Sequence, residues 1–327
     1  MGALSRLAVT VTTAVLASLT VGLTAQVPAN RPRITGIDHI VFRASDGDAA
    51  RRFYGDVLGL LGTIGGTVAG CAPGVVPCDH SRQGKLGPRL EFEVGPRQMI
   101  YVEPDLKPGE DERLRLLAFA TPDLEALAAH LTGKGIAVTR ILAPGTGPGT
   151  GTGTGPGGAI AVSDPDGHPL AFVQRDWPPE DRHQRPVDFQ GKPPLSSRIL
   201  HAGLTVRDEA AATRFYKDIL GFSEIWRGGR SEGVTDWINM RVPDGTDYLE
   251  YMLVSSPPDR RQRGVLHHVA LLVPDIQAAW EAAGARTPAA ERARLGPPNV
   301  GRNGRWQLNL YDVDGTRTEL MEPFRVR

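Results

Sequence analysis

The sequence predicts an α+β fold: one β-α-β-β-β unit present four times, paired into two domains and preceded by an export signal. Three observations carry this. The stretch IDHIVFRASDGDAARRFYGDVLGL, from Ile37, returns as LHAGLTVRDEAAATRFYKDILGF, from Leu200. His39 and His201, Phe53 and Phe215, Tyr54 and Tyr216, and Gly59 and Gly221 all share one offset of 162, which marks a duplication. Each half also repeats internally, because a strand-like run reaches an Asp after seven residues four times. The pairs are His39 to Asp46, Leu116 to Asp123, His201 to Asp208 and His268 to Asp275. Third, each of these segments is followed by alternating or apolar stretches, several closed by tight glycine turns.

The elements follow in order. Residues 1–6 are basic and residues 7–30 carry no charge, with the small Ala25 before Gln26. This is the shape of a secretory signal over 1–25, so export to the periplasm or outside is expected. The run is long enough to span a bilayer, so an uncleaved N-terminal anchor is the alternative. Within the repeats, each Asp is placed to accept from the free N–H groups of a following helix. Apolar pairs such as Phe215 with Ile219, Leu124 with Leu127, and Ile276 with Trp280 give each helix a buried face. The stretches RLEFEV, INMRV and QLNLYD read as strands. DPDG at 164–167, PDG at 243–245 and DVDG at 312–315 read as turns that lead into LAFVQ, YLEYMLV and TELME. The first domain spans 33–175 and the second 197–325. The Pro-rich, charged segment 176–196 is a linker, and the Gly/Thr/Pro run at 144–158 is a low-complexity connection.

Composition narrows the partners. The chain has 327 residues, with 37 Lys+Arg against 37 Asp+Glu. That balance gives no support for nucleic-acid binding, and a small-molecule substrate is expected. The two cysteines, Cys71 and Cys78, flank a Gly/Pro loop. In an oxidising compartment they read as a disulfide, worth about 2.5 kcal/mol on the chain-closure model.

Paired units with His on the first strand, an RFYxxxLG helix and a DxDGxxxEL turn and strand resemble the vicinal oxygen chelate superfamily. Its members include glyoxalase I, epimerases, fosfomycin-resistance enzymes and extradiol ring-cleaving dioxygenases. The resemblance implies a cup in each domain and one divalent metal (Zn, Ni, Co, Mn or Fe(II)) held by residues of the first and last strands of two units. Carried onto this sequence, those positions are His201, Glu250, His268 and Glu319. The half-sites match in spacing, with 67 positions between the histidines and 69 between the glutamates. The donor set suits such a metal on its own chemistry. Arg241 is the expected substrate-binding residue, holding an anion near the cup. Glu322 competes with Glu319 but falls on the opposite strand face. His267 should point away from His268, as a hydrogen-bonded structural residue.

The first domain keeps His39 but has Leu116 where the second has His268, and Ala171 where it has Glu319. Ile100 or Tyr101 stands nearest the place of Glu250. It is therefore expected to be a glyoxalase-like domain without metal. For the second, the resemblance implies a glyoxalase I-type lyase or isomerase, with Glu319 or Glu250 moving the proton as catalytic base. The alternative is an Fe(II) extradiol-type dioxygenase using His201, His268 and Glu319. A non-catalytic protein that binds a small ligand is the third reading.

Overall fold

The computed structural model describes residues 31–64, 89–95, 97–142, 158–175 and 193–326. The expected signal segment, Cys71 and Cys78, and most of the Gly/Thr/Pro run and of the linker lie outside the described residues. The four units fold in the expected order. The first unit holds β1 (Gly36–Arg43), α1 (Gly47–Arg51), β2 (Leu61–Ile64), β3 (Leu90–Gly95) and β4 (Gln98–Glu103). The second holds β5 (Leu114–Thr121), α2 (Leu124–Gly133), β6 (Thr139–Leu142), β7 (Gly158–Ser163) and β8 (Pro169–Gln174). The third holds β9 (Ile199–Val206), α3 (Glu209–Ala212), β10 (Ser223–Gly228), β11 (Trp237–Arg241) and β12 (Tyr248–Leu253). A connecting helix, α4 (Arg260–Leu266), leads to the fourth: β13 (His268–Leu272), α5 (Ile276–Arg286), β14 (Asn299–Val300), β15 (Arg305–Tyr311) and β16 (Arg317–Arg325).

Each predicted helix start is capped as the sequence requires. Asp46, Asp123, Asp208 and Asp275 sit in non-helical conformations and accept from backbone N–H groups of the first turn. The RFY segments depart from the simple helix expected of them. After α1 and α3 the chain continues as π-helix, over Arg52–Val57 and Thr213–Ile219. Leu58 and Leu220 donate to Phe53 and Phe215 five residues back. This winding carries Tyr54 and Tyr216 fully into the core.

Two eight-stranded sheets result, in the orders β2-β3-β4-β1-β5-β8-β7-β6 and β10-β11-β12-β9-β13-β16-β15-β14. In each, the first strands of two units meet antiparallel at the centre, and each also pairs parallel with the last strand of its own unit. Four chemically equivalent strands thus converge on one sheet centre, which is where the motifs point.

Among the described residues, the main core runs through both domains without a break. Leu117 and Phe119 of β5, Leu204 of β9, and the helical Leu127, Tyr216 and Ile276 belong to the same buried cluster. Phe119 meets Phe222 edge-on with ring centroids 5.6 Å apart. The helices fill the space between the sheets, so each sheet packs its helix side inward. Polar ties cross the seam as well: Tyr216 donates to Asp164 at 2.9 Å, and Gln98 Nε2 reaches the carboxylate of Asp247 at 3.2 Å.

Candidate metal centre

The concave side of the second sheet gathers all four predicted ligands. His201 stands on β9, His268 opens β13, Glu250 lies in β12 and Glu319 in β16. Strand alternation decides which residues turn inward. On β12, Tyr248, Glu250 and Met252 share a face; on β16, Arg317, Glu319 and Met321 share the equivalent one. Each glutamate stands opposite an asparagine of the neighbouring strand, Asn239 for Glu250 and Asn309 for Glu319.

All four side chains are buried, and their donor atoms lie within 4.8 Å of one another. His201 Nε2 and His268 Nε2 are 3.1 Å apart. Glu319 Oε2 is 3.5 Å from the first and 3.6 Å from the second; Glu250 Oε2 is 3.9 Å and 3.4 Å from them. A cation with bonds of about 2.0–2.2 Å separates neighbouring donors by about 3.0–3.6 Å. Four of these five distances fall in that range and the fifth, 3.9 Å, lies just beyond it; two nitrogens with two carboxylate oxygens are the donors a first-row divalent ion takes.

The electrostatics agree with that fit. Burial drives His201 towards its neutral form, the form that offers a lone pair to a metal. Burial also opposes ionisation of both glutamates, yet their neighbours outweigh it. His201, His268 and the Arg317 guanidinium hold Glu319 well below the ordinary carboxylate range. His268 and His201 hold Glu250 below it too. Against its backbone, His268 Nδ1 lies 2.9 Å from Leu266 O, so an N–H there leaves Nε2 as the acceptor facing the cup. The His201 ring stacks on Tyr248 with centroids 4.6 Å apart. Close approach of β13 to β9 depends on Gly203, where a β-carbon would collide with the His268 imidazole.

A cavity of about 440 Å³ opens above the cluster, walled by Trp226, Trp237, Met252 and Arg302 and floored by Glu250 and Glu319. Arg241 is not part of its wall. β11 presents Trp237 to the opening, whereas Arg241 stands exposed at the other end of that strand, opposite Tyr248. The cation next to the cluster is Arg317, which strand alternation puts on the face of Glu319. Its Nη2 lies 2.8 Å from both ring nitrogens of His268. Gly203, two residues after His201 on the same strand face, is the other residue the sequence left unremarked.

The neighbouring candidates fall elsewhere. Glu322 accepts from the N–H of Ile276 at the start of α5. His267 faces the seam between the sheets, where Thr205 Oγ1 lies 2.9 Å from its Nε2 and Glu112 2.8 Å from its Nδ1. The Thr205 hydroxyl also meets His168, which is held in turn by Asp164. In the first sheet, the register of β4 on β1 puts Tyr101, rather than Ile100, at the place of Glu250. His39 is buried against Asp38 at 2.7 Å. The remaining positions, Leu116 and Ala171, join an apolar cluster with Ala118 and Val173. That cup therefore carries one donor of the four.

Comparison with known proteins gives the same frame. The chain is 17% identical to the 2,3-dioxygenase LapB from Pseudomonas sp. KL28, with a TM-score of 0.60 over 91% of this chain and 96% of that one. It is 21% identical to a variant of homoprotocatechuate 2,3-dioxygenase from Brevibacterium fuscum, with a TM-score of 0.60 over 91% and 74%. It is also 30% identical over 86 residues to the uncharacterized protein YwbC of Bacillus subtilis (strain 168), covering 26% of this chain and 68% of that protein. The model of the Glyoxalase/Bleomycin resistance protein/Dioxygenase superfamily matches residues 36–172 and again 198–320. With both halves matched and the strand topology in place, the chain belongs to that superfamily.

Proposed function

We propose that the protein is a metal-dependent enzyme acting on a small molecule that presents two neighbouring oxygens to the metal. The observation that carries this is the convergence of His201, Glu250, His268 and Glu319 beneath an open cavity. When bound there, a divalent ion supplies Lewis-acid polarisation and, if it is iron, a means of using dioxygen. The chain's own part is to hold two imidazole nitrogens and two carboxylates in place, and to enclose the substrate between tryptophan and methionine side chains.

Of the reactions this set can serve, ring-cleaving dioxygenation of the extradiol type is the reading we favour. The likeness to 2,3-dioxygenases along about nine-tenths of the chain supports it, and His201, His268 and Glu319 supply two imidazoles and one carboxylate. One observation keeps a glyoxalase I-type lyase or isomerase as the second reading. Glu250 is a fourth buried donor, 3.4 Å from His268, where it can serve as ligand or as proton acceptor.

Protein purified without chelator and analysed for metal separates these. Stoichiometric iron with oxygen uptake on a catechol supports the dioxygenase. Another divalent metal, with anaerobic isomerisation of a hydroxycarbonyl compound, supports the second reading. Protein that takes up no divalent metal defeats the proposal and leaves a ligand-binding role for the cavity.

A further inference from the structure

Arg317 is a charged side chain of the cavity, beside the candidate donors, whose charge has no settled partner. Its side chain is 13% exposed, and the buried Nε has no hydrogen-bond partner. Among the described residues it comes no nearer than 4.0 Å to a carboxylate, that of Glu250. Its remaining close contact is the imidazole of His268, a weak and neutral-type acceptor for a group built to bind carboxylates through two parallel N–H bonds.

The charges of the cavity can be counted. The ionic residues lining it are Arg230, Asp236, Glu250, Arg302, Arg317 and Glu319. Arg230 and Asp236 pair at 2.7 Å and cancel. Glu250 and Glu319 match the two charges of a divalent ion, which is the point at which this inference rests on the metal reading above. Arg302 donates its Nε to the carbonyl of Gly229 and forms no ion pair among the described residues. Arg317 and Arg302 therefore remain in excess once the metal charge is met. A cation bound at His268 Nε2 also repels the guanidinium that now lies against that ring, so Arg317 is free for another acceptor.

We propose that Arg317 is an anion-recognition residue, and that the substrate carries a carboxylate beside the oxygens that chelate the metal. Arg302, an exposed residue of the same lining, adds to the same preference. Arg241, exposed at the far end of β11, takes no part.

The test uses Co(II) and two ligands that differ by one group, catechol and 3,4-dihydroxybenzoate, with calorimetry on the full chain. Wild-type protein should bind one Co(II) and then prefer the carboxylated ligand by about tenfold or more, a difference ordinary for one charge-assisted contact. Arg317→Met should keep one Co(II), bound at least as tightly, and lose the preference while keeping its affinity for catechol. Arg317→Lys should retain part of the preference, and Arg241→Met all of it. Retained Co(II) stoichiometry is the check that each variant is folded. Cobalt bound with the preference intact in Arg317→Met overturns this inference alone. Loss of cobalt from both Arg317 variants overturns it too, because the residue then serves the metal site. Failure of wild-type protein to bind cobalt overturns the metal reading and this inference together.

Discussion

His201 Nε2 and His268 Nε2 face each other at 3.1 Å in a fully buried pocket. Two neutral imidazole nitrogens cannot both offer lone pairs to one another at that distance without cost. Either a shared proton or a cation must lie between them and the glutamates. The pseudo-twofold relation of the two units creates this pairing, because β9 and β13 meet antiparallel at the sheet centre.

Replacing His268 by Ala should lower divalent-metal affinity by more than about 100-fold. Loss of a ligand should exceed the 10- to 100-fold typical of residues that merely support one. His39→Ala should leave the metal-to-protein ratio unchanged, since the positions around His39 are Tyr101, Leu116 and Ala171. Equilibrium dialysis of both variants against Co(II) checks this; metal lost from His39→Ala alone would reverse the assignment of the two cups.

Gly203→Ala should damage the same centre without touching a ligand. The added methyl meets the His268 ring and the carbonyl of Leu266, so β13 must shift away from β9. A loss of about 1–3 kcal/mol in stability is expected from such overpacking, together with weaker metal binding. Denaturant titration and metal dialysis on one preparation measure both.

Tyr216→Phe removes a buried hydrogen bond to a carboxylate that spans the two sheets, 2.9 Å from Asp164. A cost of about 1.5–3 kcal/mol is expected. The equivalent contact of Tyr54 with Asp312 is longer, at 3.5 Å, and Tyr54→Phe should cost less. Reversible urea unfolding gives the order; a larger loss for Tyr54→Phe would contradict it.

Acid sensitivity should trace in part to Glu112. Burial raises its pKa, but His267 and Arg263 outweigh that and bring it from 4.5 down to about 2. A carboxylate whose folded pKa is depressed contributes stability above its unfolded value and loses it as pH falls through the folded one. The contribution is therefore complete above about pH 5 and lost progressively between pH 4.5 and 2. Glu112→Gln should flatten the fall of melting temperature across that window. An unchanged slope would show that Glu112 is not ionised against His267 and Arg263.

How much of this was legible beforehand follows from range. Helix capping by Asp46, Asp123, Asp208 and Asp275, the strand faces of Glu250 and Glu319, and the equivalence of His201 with His268 are written in spacings of a few residues. Backbone geometry repeats over the same few residues, so a duplicated sequence announces them. The choice of His201, Glu250, His268 and Glu319 as candidate donors came from the family resemblance, and the fold brings the four together. The inward cation was not legible in the sequence: Arg241 and Arg317 both lie on strands of the cup, and only packing decides which strand end opens to the cavity. Likewise, whether the two halves keep separate cores depends on how helices from distant segments stack. Phe119 against Phe222, and Tyr216 against Asp164, are contacts between units that no local pattern encodes. The sequence by itself determined the repeating unit and the strand faces on which the candidate donors stand, because hydrogen-bonding period and side-chain alternation act locally. The tertiary structure alone decided the shared core, the seam that claims His267 and the arginine that enters the site, because burial is a property of the whole chain.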